Sequence, residues 1–466
     1  MRLQGATVVV VASLVLASPG TSTGQEARNP FLGSVPTGRA EPIDLPLSLP
    51  DAFARALQYN LGLIESDQAS RAARAVRLRN LSALLPDLSA GVSASRQTVN
   101  LQASGLRLQI PGVVLPTVVG PFSVADARLY GSQEIFNWSS IKSLKSAAEA
   151  EKASRYVYRS DRDLVVYTAA NAYLLVISDE ATVETTRAQL KTAETLHERT
   201  VDQNKAGVVA AIDALRARVE LQTQQQRLIA AENQLAIDKL ALARVIGLPK
   251  GQVFHVSDAV PYAPLTGIGL EEALERARAT RPDYLGAESH VRAAEEARQA
   301  AAAGYYPSLA ANGSYGAIGS PNFGSAHETY SYGVAVSIPV FPGTRVKADK
   351  LEADAALQQR RAELADLDGR IDQEVRTALF NLQSSSDQVA VAESNRGLAA
   401  ETLTQAQERF AAGVADNLEV VQAQESVAAA NQSYIAALYA HNLAKVSLAL
   451  AMGVAEQSAL PYLGVK

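Results

Sequence analysis

The side chains able to do chemistry are few and scattered. The chain has no Cys, and its five His (His197, His255, His290, His327 and His441) match no metal-ligand spacing. Without cysteine there is no disulfide, no thiolate metal site, no cysteine nucleophile and no lipid anchor on an N-terminal cysteine. The sequence has no G-x-x-x-x-G-K-[ST], no G-x-S-x-G and no H-E-x-x-H, and Gly267-Ile268-Gly269-Leu270-Glu271-Glu272 fails the dinucleotide fingerprint at its last glycine. Lys and Arg number 43 against 48 Asp and Glu, a net charge of −5, and no basic patch is interleaved with aromatics, so nucleic acid is not an expected partner. The expectation is a chain that is not an enzyme, binds no cofactor or metal, and works through its architecture.

That architecture begins with export. Residues 1–24 carry one cation, Arg2, then an apolar run from Ala6 to Ala17, then Ser18, Pro19 and Gly20, the pattern of a secretory signal peptide; cleavage after Ala17 and cleavage after Gly24 both fit. No later stretch offers the ~18 uninterrupted apolar residues of a membrane-spanning helix. The nearest, Tyr167 to Ile177, contains Thr168 and Asn171. An exported chain of this kind can meet a lipid bilayer only through β-strands.

The chain also matches itself. A shift of 221 residues lays Leu49 on Leu270, Ala52 on Ala273, Ala56 on Ala277, Arg71-Ala72-Ala73 on Arg292-Ala293-Ala294, and Pro86 on Pro307. The shift then falls to 205 or 206, pairing Phe136 with Phe341, Ala206-Gly207-Val208 with Ala412-Gly413-Val414, and Gly247 with Gly453. Two copies of one unit are therefore expected, at 45–247 and 268–454, joined by a proline-containing linker at 248–267.

Each copy reads helix, strand, strand, long helix, helix, a mainly α chain with a small β part. Ser48-x-x-Asp51 is a capping box opening a helix over 48–85 that Pro86 stops, and the second copy should carry a helix over 270–306. Strands are expected at about 87–135 and 308–341. Tyr330, Tyr332, Val334, Val336, Ile338 and Val340 alternate with small or polar residues, and Leu88, Ala90, Val92 and Ala94 do the same. The segment from Ala125 to Ile135 alternates poorly and is read as strand because its counterpart is one; Ala103 to Pro121 reads as a long loop. Helices then span 138–206 and 208–246, and 344–412 and 414–452, with Leu221, Leu228, Leu235 and Leu242 forming a heptad seam. At 1.5 Å per residue the first long helix is about 100 Å, so the molecule must be elongated.

Four strands cannot close a membrane barrel, whose smallest forms have about eight, and an open sheet in lipid would leave its edges unpaired. Several chains must pool their strands, and three would supply twelve. Phe136, Trp138, Tyr305, Tyr306 and Phe341 flank the strand-to-helix junctions, where membrane-interface aromatics belong.

The duplicated unit, the turns Leu85-Pro86-Asp87-Leu88 and Tyr306-Pro307-Ser308-Leu309, the exit Ile338-Pro339-Val340-Phe341, and the tips Lys205-Ala206-Gly207-Val208 and Phe410-Ala411-Ala412-Gly413-Val414 resemble the TolC-type outer-membrane factors over about residues 45 to 455. The resemblance implies a homotrimer with a twelve-stranded β-barrel in outer-membrane lipid, continued by a twelve-helix periplasmic α-barrel. It also implies docking on a periplasmic adaptor (membrane fusion) protein and an inner-membrane transporter, for efflux of small toxic molecules. One-step protein secretion stays open beside efflux, and an exported coiled-coil scaffold or adaptor without a pore is the alternative from another class.

On the same resemblance, Gly207, Val208, Gly413 and Val414 become adaptor-docking tips, with Arg218 as a polar contact. Glu419 matches the first of two acidic family positions at the entrance, and Gln422 replaces the second; Asp416, three residues before Glu419, supplies a further carboxylate, and Asp213 matches an acidic position of the first tip. Three copies of Asp213, Asp416 and Glu419 would form an acidic ring that favours cations. Where the family latches its entrance with a tyrosine and an arginine, this chain has Phe410 and Ala415, so the gate is expected to pack through apolar contacts at Phe410.

Overall fold

The computed structural model describes residues 29–465 except 102, 104–115, 259–261, 266, 322–324, 413 and 415–416. The expected signal peptide, Gly413, Asp416 and Ala415 therefore lie outside the described residues. Two parallel sets of elements appear in chain order. The first is α1 (Leu49–Tyr59), α2 (Leu61–Ser82), β2 (Asp87–Asn100), β3 (Val118–Phe136), α3 (Trp138–Lys205) and α4 (Ala211–Ile246). The second is α5 (Leu270–Thr280), α6 (Pro282–Ala302), β5 (Ser308–Gly319), β6 (His327–Ser337), α7 (Arg345–Ala411) and α8 (Asn417–Ala451). Two short strands, β1 (Leu45–Leu47) and β4 (Phe254–Val256), pair in parallel, and α9 (Ala455–Leu463) closes the chain.

The capping box forms as expected: the Asp51 amide donates to Ser48 Oγ at 3.2 Å. The helix expected over 48–85 is nevertheless two helices. Asn60, fully buried and in extended conformation (ψ 132°), breaks it. Its Oδ1 accepts from the Gly62 amide at 3.0 Å, and its Nδ2 donates to the Phe31 carbonyl at 2.7 Å. A side chain at residue 62 would meet the Phe31 ring at 2.5 Å, so glycine lets that ring close over the break. The helix expected over 270–306 breaks likewise at Arg281, held extended because Pro282 follows it. Arg281 is buried there and pairs with Asp283 (2.7 Å) and Glu374 (2.5 Å).

Three further expectations are corrected. The alternation read through Val340 leaves the sheet at Ser337, since Pro339 has no amide to donate. The first-copy return strand begins at Val118, inside the stretch read as loop. The interrepeat linker holds β4, which returns to pair with β1.

The main core gathers where α1, the ends of α4 and α9, and the β1–β4 ribbon pack on the middle of α3, around Leu49, Ala56, Val165, Tyr173 and Ile246. There the Tyr173 hydroxyl donates to the Leu47 carbonyl at 2.8 Å, and burial pushes its phenol above its ordinary range. A second core joins α5, α7 and α8 around Ala273, Ile371, Val375 and Leu448. These cores girdle long helices that extend in both directions. Replacing the buried cap, Asn60→Ala, is expected to cost about 2 kcal/mol by orphaning two backbone partners, read as a lowered melting temperature of the purified protein.

Candidate functional site

At one end of the helices, a four-stranded antiparallel sheet runs in the order β2-β3-β5-β6. Its register sorts side chains onto two faces. Leu88 pairs with Gly131, Ala90 with Leu129, Val92 with Ala127 and Ala94 with Ala125. Leu129 then pairs with Tyr315 and Ala127 with Ala317, while Tyr315 pairs with Tyr330, Gly313 with Tyr332, Ala311 with Val334 and Leu309 with Val336. Since directly paired residues point the same way, all of these share one face. That face is apolar over seven residues of β2 (Leu88 to Ala94) and of β6 (Tyr330 to Val336), a band of about 20 Å at the strand rise. Arg96 and Glu328 lie beyond it at one rim and Gln133 at the other. Val92, Tyr332 and Val334 are 78%, 86% and 66% exposed.

The opposite face carries Ser89, Ser93, Asp126, Arg128, Ser132, Asn312, Ser314, Ser331 and Thr329. Asp126 and Arg128 form an ion pair at 2.7 Å, and Ser314 and Ser331 are joined across the strands at 2.9 Å. A sheet apolar on one side and polar on the other, with free edges on β2 and β6, suits lipid outside and water inside.

Phe136, Trp138, Tyr305, Tyr306 and Phe341 gather at the sheet-to-helix junctions. Phe136 pairs with Leu309 beside the 3-10 turn holding Tyr305, and its ring lies 6.4 Å from that of Trp138. Lys142 sits 5.2 Å over the Trp138 ring and pairs with Glu296 at 2.8 Å. Tyr305 and Tyr306 are exposed, and Phe341 is 89% exposed.

The far end is the hairpin tip. α3 closes in a Schellman motif: the Gly207 amide donates to Asn204 and the Val208 amide to Gln203, with Gly207 left-handed at φ 74°. A Cβ at Gly207 would meet nothing within 4 Å, so the backbone twist and not space demands glycine. The second tip repeats the bond, with the Val414 amide donating to Arg409 at 3.0 Å. Val208 and Val414 are 71% and 68% exposed, and Arg218 is exposed too.

Phe410 is buried within its own chain, against Ala406, Val420 and Ala423, with Leu196 and Val209 of the first hairpin beside it. It thus ties one hairpin to the other. Each described tip acid has an arginine of its own: Asp213 lies 3.4 Å from Arg216 and Glu419 lies 3.1 Å from Arg409. Sequence reasoning overlooked both partners. Arg216 was findable at i+3, whereas Arg409 meets Glu419 only because the hairpin turns back.

Further along the first hairpin, burial pushes the Asp179 carboxyl on α3 up to about 7, helped by a hydrogen bond to and the like charge of Asp238 on α4. Gln234 donates to Asp238 at 2.7 Å, the neighbouring Lys239 and Glu180 pair at 2.8 Å, and Tyr439 of α8 faces the two aspartates.

Among the described residues, no helix is long and apolar enough to cross a membrane and no cluster of His, Cys, Asp and Glu could hold a metal. The sheet is the element built for lipid, which defines a membrane protein of the outer-membrane strand type with helical hairpins attached. The model described as "Outer membrane efflux protein" matches residues 53–248 and 273–454, and the chain belongs to that family.

Among its relatives, the "Probable efflux pump outer membrane protein SepC" of Pseudomonas putida is 27% identical over 307 residues, 64% of this chain. The chain covers 61% of that relative's length. The "Pyoverdine export outer membrane protein OpmQ" of Pseudomonas aeruginosa is 27% identical over 420 residues, 85% of this chain and 84% of that one. The solved structure of the outer membrane protein VceC from Vibrio cholerae superposes with a TM-score of 0.73 at 20% identity, covering 87% of this chain and 96% of VceC. The fold is TolC-like, and family membership places the chain in the outer membrane with its long helices on the periplasmic side.

The Asp179–Asp238 contact yields a pH prediction. An unfolded Asp titrates near 4, so between about 4 and 7 only the folded chain keeps the proton, and stability falls as pH rises through that window. Asp179→Asn keeps a hydrogen bond without the titration. It should flatten the decline, melting higher than wild type at pH 8 and level with it near pH 3.

Proposed function

We propose that three copies of the chain close a twelve-stranded barrel in the outer membrane and continue it as a twelve-helix tunnel, a passive exit duct for small toxic molecules. The observation that carries this reading is the one-sided apolar sheet with two free edges. β2 and β6 run antiparallel to one another, so β6 of one subunit can pair antiparallel with β2 of the next, and the ring leaves no edge unsatisfied in lipid. Exposed apolar rows support lateral neighbours in the periplasmic part too: Ile212, Leu215, Val219, Ile229 and Leu240 on α4, and Phe380, Val391 and Leu398 on α7.

A pore-free scaffold would have no use for a 20 Å apolar band facing outward. The duct needs no energy source of its own. The tips at Gly207, Val208, Gly413 and Val414, with Arg218 beside them, are proposed to dock on a periplasmic adaptor coupled to an inner-membrane transporter. Efflux is favoured over protein secretion by relatives whose names specify efflux pumps and pyoverdine export.

The experiment is a fractionation with planar-bilayer recording. A heat-modifiable trimer band in the outer-membrane fraction and ion-conducting insertion are expected; a monomer released with water-soluble protein would sink the proposal.

Asp213, Asp416 and Glu419 are proposed to line the entrance, with Phe410 behind them as packing. Arg409→Ala should remove one positive charge from beside the Glu419 carboxylate in each subunit and raise cation over anion permeability, read as a shifted reversal potential in a salt gradient. An unchanged potential would remove Glu419 from the lining.

A further inference from the structure

About 25 Å above the tips by helical rise, all four long helices line a half-open cavity of 530 Å³. Leu403 of α7 and Val427, Ile435 and Leu438 of α8 supply its apolar wall. Glu184, Thr185, Gln189 and Thr192 of α3 with Asn431 of α8 add polar groups. Glu220 and Gln224 of α4 and Gln424 of α8 also line it, and they are only 6%, 2% and 8% exposed. Gln224 donates Nε2 to Glu220 Oε1 at 2.7 Å, which leaves Gln224 Oε1 without a partner. Gln424 has a partner at neither amide atom. Such buried polar atoms cost free energy unless something fills their bonds.

The unmet demand has a sign. Two amide oxygens lack a donor against one amide nitrogen that lacks an acceptor, and the Glu220 carboxylate, which already accepts from Gln224, stands beside them. Glu220 has no ion-pair partner among the described residues. The lining's one guanidinium, Arg396, lies 4.1 Å over the Tyr434 ring, and Glu184 also lines the cavity, so two carboxylates stand against one cation. Water could satisfy single atoms but would not neutralise a buried carboxylate.

We propose that this cavity is a binding site for an amphiphilic organic cation. Its N–H donors face Glu220, Gln224 and Gln424, and its apolar body lies against Leu403, Val427, Ile435 and Leu438. Because α3 and α4 form one hairpin and α7 and α8 the other, such a ligand bridges the two hairpins within a subunit.

The test is isothermal titration calorimetry of the full chain in lipid nanodiscs, with benzamidinium chloride as probe and neutral benzamide as its isostere. Saturable benzamidinium binding at one site per chain is expected, with benzamide at least about tenfold weaker. Glu220→Gln should weaken benzamidinium by about tenfold or more. Ala188→Phe, which fills the cavity from α3 while leaving the polar groups intact, should abolish binding with the helical circular dichroism unchanged. No saturable heat from wild type, equal affinity for benzamide, or full affinity in a folded Ala188→Phe protein would each overturn the proposal. If Glu220→Gln does not fold, the isostere comparison and Ala188→Phe decide it.

Discussion

The constraint on which everything else rests is the backbone hydrogen bond. A four-stranded sheet leaves the amides and carbonyls of β2 and β6 open along one side each, and in hydrocarbon no water is present to satisfy them. The apolar face compounds the constraint, since exposing Val92, Tyr332, Val334 and their neighbours to water would cost roughly 25 cal/mol per Å². The proposed trimer would meet both demands by the same act, adding strands from further copies while lipid covers the apolar side. The polar face, with Ser93, Asp126, Arg128, Ser314 and Ser331, is then left toward water. In the proposed trimer, helices joined to the sheet at Phe136–Trp138 and Tyr305–Pro307 would inherit its ring arrangement, because each strand end fixes where a helix begins.

Within one chain, duplication supplies the elements, and the departures from it supply cohesion. α6 of the second copy packs between α3 of the first and α7 of its own, so the copies share a layer and do not merely abut. The breaks at Asn60 and Arg281 let the short helices α1 and α5 turn onto the girdling cores. Arg281 fills its position tightly enough that a side chain at residue 453 would come within 2.6 Å of its Cα, which is why a left-handed glycine ends the α8 segment there. The same left-handed closure at Gly247 admits Tyr59 within 2.5 Å of where a Cβ would stand.

What the sequence made legible was whatever repeats or alternates. The two-copy order, the long helices between prolines and glycines, and the strand phase of Leu88 to Ala94 and Tyr330 to Val336 are periodic signals. The helix breaks were hidden because a single Asn, or an Arg before Pro, leaves the surrounding helical pattern intact. β1 and β4 are three residues each and lie some two hundred residues apart, so only the fold reveals them as a pair. The start of the return strand β3 reads as loop in the sequence because Gly120 and Pro121 punctuate it, and its 19 residues are defined by pairing with β2 and β5. At the tips, glycine chemistry was readable from sequence, whereas the pairing of Glu419 with Arg409 depends on how the turn folds back.

That pairing changes how the entrance should be understood. In the proposed entrance, Asp213 and Glu419 carboxylates matched by arginines of the same chain would project a weaker field than a count of acids suggests, since a charge pair about 3 Å apart falls off as a dipole. Phe410 adds a mechanical element. Its cluster joins Leu196 and Val209 of one hairpin to Val420 and Ala423 of the other, so separating the hairpins of one subunit exposes a buried apolar contact.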